Sequence, residues 1–138
     1  MLADDNCLLC QGQETRQHLF FGIPFSSIVW RKLLHNLKEY HVPQTWEAEA
    51  EWFMNKGMDK SFGERLRRMC AAAAIYYIWL ERNRRIFYDT RQEAEVVAVK
   101  FVYAVRCSVN NWRGIARNKA NWKIYIDWGF DFAIFDKR

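Results

Sequence analysis

The sequence predicts a mainly α protein: a compact bundle of about four helices, preceded by a loop-rich, zinc-knuckle-like segment and followed by an aromatic C-terminal tail. Three observations carry this prediction. Apolar residues recur at i, i+3 and i+4 in long stretches. The run from Met69 to Leu80 is apolar on every side. Pro and Gly punctuate the chain between these stretches.

Taken in order, residues 1–25 read as a knuckle with turns at Gly12 and Gly22, and with Pro24 holding off an early helix. Ser26 or Ser27 is expected to cap a first helix reaching about Tyr40, with Ile28, Trp30, Leu33, Leu34 and Leu37 at helical spacing and Pro43 beyond its end. Thr45 is expected to cap a short second helix over Trp46 to Asn55, closed by Gly57. Glu47, Glu49 and Glu51 lie in its first turns, where the helix dipole favours negative charge.

Ser61 opens the longest helix, with Glu64 three residues on as in a capping box, and the helix runs to about Tyr88. A helix apolar all round is expected to be surrounded by others. Its end turns basic at Glu81 to Arg85. A fourth helix is expected from Thr90 to about Trp112 or a little beyond, with Ala94, Val97, Ala98, Phe101, Val105, Val109 and Trp112 as its stripe. From Asn121 the chain becomes strongly aromatic. Alternation over Lys123 to Asp127 hints at a short strand, Gly129 at a turn, and the whole at a tail packed over the helices. The chain reads as a single domain over 1–138, divided into a degenerate knuckle (1–25), a helical bundle (26–119) and the aromatic tail (120–138).

Composition narrows the function classes. Hydrophobic residues make up 51% of the chain, enough for one real core and too many for a disordered segment. Aromatics make up 17%, a load that predicts rings at a surface or interface. No run approaches the roughly 18 apolar residues a membrane span needs. The acidic start MLADDN offers no secretory signal, so the expected location is cytoplasmic or nuclear, with four reduced cysteines. The formal net charge is +5, and six basic residues with no acidic one fall between Lys100 and Lys123. That excess permits contact with nucleic acid without requiring it.

The chemistry-bearing residues are few. Cys7 and Cys10 with His18 eight residues on have the spacing of zinc ligands, but a structural zinc site needs four. The fourth could come from His35, His41, Cys70, Cys107 or water, or the site could have decayed so that its residues only pack. Cys70 and Cys107 otherwise read as small hydrophobes on apolar faces. Arg65, Arg67, Arg68, Arg82, Arg84 and Arg85 could contact phosphate. Equally, Glu81 stands at i+3 and i+4 spacing from Arg84 and Arg85 and could neutralise them. The aromatic residues Trp122, Tyr125, Trp128, Phe130, Phe132 and Phe135 are the expected protein interface. No catalytic motif is present: no G-x-S-x-G, no phosphate-cradling glycine loop, no H-E-x-x-H. The chain is therefore expected not to be an enzyme.

Two stretches also resemble a known family. The N-terminal CxxC, ETRQHLFF, GIPFSS and VW, and the later IYYIWLERNRRIFYD, closely resemble the zinc-binding domain at the C-terminus of reverse transcriptases of plant LINE-type (non-LTR) retroelements. The two motifs keep the family's order and together cover most of the chain, leaving the aromatic tail as the least well matched part. The resemblance implies a Cys-Cys-His-Cys site. Cys7, Cys10 and His18 fall on its first three positions, while Ile23 stands where the last cysteine belongs. An isoleucine cannot ligate zinc, so no cofactor is expected, although bound zinc stays open. With the knuckle beginning so close to residue 1, the resemblance implies a freestanding, domesticated fragment with no polymerase or nuclease activity. The expected function is a non-catalytic protein-interaction module, acting as a host regulator or as part of a selfish toxin-antidote pair by binding a partner protein. The alternative is an RNA- or DNA-binding module using the arginine clusters. Self-association is compatible with either.

Overall fold

The computed structural model describes residues 24–39, 48, 49, 51 and 61–138. Among these residues the fold is a compact bundle of four helices with no strand: α1 (Pro24–Asn36), α2 (Phe62–Phe87), α3 (Ala94–Val109) and α4 (Lys119–Trp128), followed by a 3₁₀ turn at Phe132–Phe135. Of the expected second helix, residues 48, 49 and 51 are described and are helical; the remainder lies outside the described residues.

Pro24 starts α1 rather than delaying it. A helix's first N–H groups have no intrahelical partner, so a residue without one is well placed there. The helix also ends before Tyr40. Lys38 adopts a left-handed φ of 60°. The Glu39 N–H donates to the Leu34 carbonyl at 2.8 Å and the Lys38 N–H to the His35 carbonyl at 3.0 Å. This pair of bonds closes a helix when one residue turns left-handed. Val29, Trp30, Leu33 and Leu34 are buried as the spacing predicts, whereas Ile28 faces out.

α2 begins where expected. Ser61 is extended and its Oγ accepts the Glu64 N–H at 3.2 Å. The other half of the capping box does not form, because the Glu64 carboxylate turns to the Arg67 guanidinium. Arg67 also reaches Glu39 at 3.0 Å, which ties the end of α1 to α2. α3 starts at Ala94 rather than Thr90. The turn before it is held by Glu81, whose Oε2 accepts the Gln92 N–H at 2.9 Å. Six of the seven expected stripe residues of α3 are buried; the helix ends at Val109, and Trp112 lies beyond it, half-buried.

α3 packs against both α1 and α2, α1 packs against α2, and α4 lies on α2. The core gathers Trp30, Leu33, Leu66, Ile78, Phe101, Val105 and Val109 with Ile115, Trp128, Phe130 and Ile134 from the C-terminal part. The aromatic tail is thus part of the fold. The suggested strand is not found: 119–128 is a helix capped at both ends. Asn118 Oδ1 accepts the Asn121 N–H at 2.8 Å. Gly129, at φ 69°, turns left-handed and donates its N–H to Tyr125. Beyond it the chain returns to the segment after α3: the Gly114 N–H donates to the Asp136 carbonyl at 2.6 Å and the Ile115 N–H to the Ile134 carbonyl at 3.0 Å. Arg106 Nε holds the Trp128 carbonyl at 2.9 Å.

Gly129→Ala is expected to lower stability by about 1 kcal/mol, the cost of a Cβ in the left-handed region. No atom lies within 4 Å of where that Cβ would stand, so the loss is backbone strain alone. Urea unfolding checks it, as a lower midpoint at unchanged slope.

Candidate interaction surface

The residues singled out by the sequence separate into three groups. Cys7, Cys10, His18 and Ile23 lie outside the described residues, as does His41. Among the described residues no cluster of three or more His, Cys, Asp or Glu side chains could hold a metal ion. Cys70 is fully buried in the core, and burial pushes its thiol far above the ordinary range. A neutral core thiol is a poor zinc ligand, which disfavours Cys70 as the fourth ligand. Cys107, expected on an apolar face, is exposed; its side chain hydrogen-bonds Tyr103 and thereby raises the phenol's pKa.

The arginines of α2 are mostly engaged within the fold. Arg85 Nε meets Glu81 Oε2 at 2.7 Å, its Nη2 reaches the Gln92 carbonyl at 3.3 Å, and its guanidinium lies 5.0 Å over the Phe25 ring. Arg84 stands 3.7 Å from Glu81. Both i+3 and i+4 pairings suggested by the sequence therefore form, and they converge on one buried carboxylate. Arg65 lies 4.1 Å over Trp112, and Arg67 is shared between Glu64 and Glu39. Arg68 is half-buried. Arg82 has a different setting: its guanidinium lies 4.6 Å over the exposed ring of Trp79. The six arginines do not form one cationic face open to a phosphate backbone. The charges of Arg65, Arg67, Arg82, Arg84 and Arg85 are divided among carboxylates and rings, as low-cost burial of guanidinium requires.

The expected aromatic interface divides in two. Trp128 and Phe130 are core residues, stacked at 5.5 Å and anchored on Phe62, so they are corrected out of the surface. Trp122 and Phe132 are exposed, with Tyr125 and Phe135 half-buried beneath them. These four rings form one cluster, with centroids 4.9 to 6.3 Å apart, and Arg117 lies over Trp122 and Phe132. Ile126, on the same outer side of α4, is 58% exposed.

A second surface is absent from the sequence expectations. α2 is not surrounded: Tyr76, Trp79 and Phe87 are exposed, on the side opposite the stripe Leu66, Cys70, Ala74 and Ile78. Likewise Val96, Val99 and Tyr103 are exposed opposite the buried stripe of α3. The α3 stripe had a legible signal, since valines occupy both sides of the helix. A helix apolar on both faces is normally covered on both. Among the described residues, the inner sides of α2 and α3 meet other helices and the outer sides carry these exposed side chains.

No known protein family, curated protein or solved structure matches this chain. The functional reading therefore rests on the chain's own residues and on the motifs quoted above.

Proposed function

We propose that the chain is a non-catalytic protein-interaction module. The observation that supports this is the apolar outer side of α2 and α3, where Tyr76, Trp79, Val99 and Tyr103 stand exposed opposite the buried stripes of the two helices. Large apolar side chains concentrated on helix faces mark sites where another protein packs. The resemblance to the reverse-transcriptase zinc-binding domain supports descent from a retroelement protein. Such a descendant would act by binding a partner, as a host regulator or as one half of a selfish toxin-antidote pair.

The test is affinity capture with the tagged full chain beside two surface variants, one carrying Val99→Asp and Tyr103→Asp and the other Ile126→Asp. The expected result is a stoichiometric protein partner that one of the two variants loses. Recovery of nucleic acid alone, or capture indifferent to both variants, overturns the reading.

RNA or DNA binding is the second reading, favoured by the Arg82–Trp79 pair, a cation beside an exposed ring of the kind that stacks on a base. It predicts single-strand affinity that falls steeply with salt and weakens in Arg82→Ala. Absence of binding at low salt sinks it.

A further inference from the structure

We propose that the outer side of α4 is a docking groove for an acidic amphipathic helix of a partner protein; the inference deepens the protein-interaction reading and rests on it. Lys119, Ala120, Trp122, Lys123, Ile126 and Asp127 line one shallow surface groove. Their spacing is that of a single helix side, i, i+3, i+4 and i+7. Its floor is apolar, from Ala120, the exposed edge of Trp122, and Ile126. Its rim is cationic. Lys123 meets its own Asp127 at 3.3 Å, while Lys119 has no ion-pair partner among the described residues. Arg117 stands at the same end, over Trp122 and Phe132. Asp127 is the one carboxylate among the lining residues, so Arg117, Lys119 and Lys123 leave this surface net positive.

A side with apolar residues next to lysines and a net positive charge is complementary to a helix with an aliphatic or aromatic stripe and carboxylates along its flank. The groove is also preorganised. Trp122 stacks on Phe135 at 5.9 Å and 24°, and packs on Tyr125 at 4.9 Å. A rigid anchor loses little conformational entropy on binding.

The same packing argues against the other occupants. Phe135 covers one side of the Trp122 indole and Arg117 stands over the ring as well. The indole therefore offers poor access for a stacking base, and Ile126 has no π-face to offer one. A second copy would present the same net-positive side, with Arg117, Lys119 and Lys123 against one Asp127, and net like charge across an interface is unfavourable.

The test uses the full chain and a displayed library of helical peptides about five turns long, randomised on one side. Selected peptides are expected to carry an apolar stripe flanked by Asp or Glu. By fluorescence polarisation their affinity should fall about tenfold or more in Ile126→Asp and in the pair Lys119→Glu, Lys123→Glu. Peptides with Lys in place of the carboxylates should bind the charge-reversed chain better than the natural one. These side chains are exposed, and unchanged urea midpoints confirm that each variant folds.

Four results overturn the inference. They are selected peptides without carboxylates, affinity indifferent to both variants, an Ile126-dependent dimer in sedimentation, and single-stranded oligonucleotide binding lost in the charge-reversed variant. In the affinity capture, loss of the partner only with Val99→Asp and Tyr103→Asp sinks this inference and leaves the broader reading standing. Capture indifferent to every variant sinks both.

Discussion

Glu81→Ala is expected to destabilise the protein by about 3–5 kcal/mol, the cost of removing one partner from a buried charge pair. The side chain of Glu81 is 1% exposed and that of Arg85 10%. With the carboxylate gone, Arg85 keeps its charge in a nearly dry site and retains the Gln92 carbonyl at 3.3 Å and the Phe25 ring. The Gln92 N–H loses its acceptor as well. Since Gln92 lies just before α3, the loss also loosens the turn that sets where α3 begins. Urea unfolding measures the total, and amide exchange at Gln92 reports the local part. A double variant with Glu81→Leu and Arg85→Met should recover much of the loss, because a buried pair exchanged for apolar groups is often neutral. A Glu81→Ala cost below about 1 kcal/mol would show that the pair behaves as a solvated surface bridge.

Phe101→Ala is expected to cost about 3–5 kcal/mol, from lost transfer energy and the cavity left behind. Phe101 is fully buried in α3, the helix that packs on both α1 and α2, so the cavity opens between elements that hold each other in place. The control lies on the same helix. Val99 is 64% exposed, and Val99→Ala should stay within about 0.5 kcal/mol. Both changes shorten an apolar side chain two residues apart, so the contrast tests the register of α3 rather than its helix propensity. Equal losses would mean that the outward side of α3 is covered in solution, and the measured stability would then depend on protein concentration.

Together these expectations separate two kinds of apolar residue on one helix. Phe101 and Val105 hold the fold, whereas Val96, Val99 and Tyr103 contribute little to it and remain available for a partner. The same division runs through the C-terminal aromatics. Trp128 and Phe130 stack inside, and Trp122 and Phe132 stand outside within a cluster braced from beneath. A module that binds by preformed surfaces has this property, because the residues that meet the partner are not those that keep the chain folded.

Much of the helical architecture was legible in the sequence. Ser61 with an apolar run behind it marks the start of α2, and the stripe from Ala94 marks the buried side of α3, although its spacing continues to Trp112, beyond the last turn. The Glu81, Arg84 and Arg85 spacing announced its own neutralisation. α4 was the clear miss, although its signals were present: Asn118 three residues before the N–H it accepts, and Gly129 immediately after the last turn. The alternation of Lys123, Ile124, Tyr125, Ile126 and Asp127 imitates a strand because a short helix with aromatic residues on two sides loses its 3.6-residue signature. Likewise Pro24 read as a block, though proline at a first helical position is compatible with the helix.

The sequence by itself determined that the bundle is mainly helical and where α2 starts and stops, because periodicity and capping act within a few residues along the chain. Only the tertiary structure decided which apolar sides are covered, which arginines are neutralised and that the aromatic tail returns to the bundle. Those outcomes depend on neighbours distant in sequence: α1 and α2 against α3, Gly114 and Ile115 against Ile134 and Asp136, Glu39 against Arg67. Among the described residues the helices carry more apolar surface than they bury, and the packing decides where that surplus lies, on the outward sides of α2 and α3 and along α4.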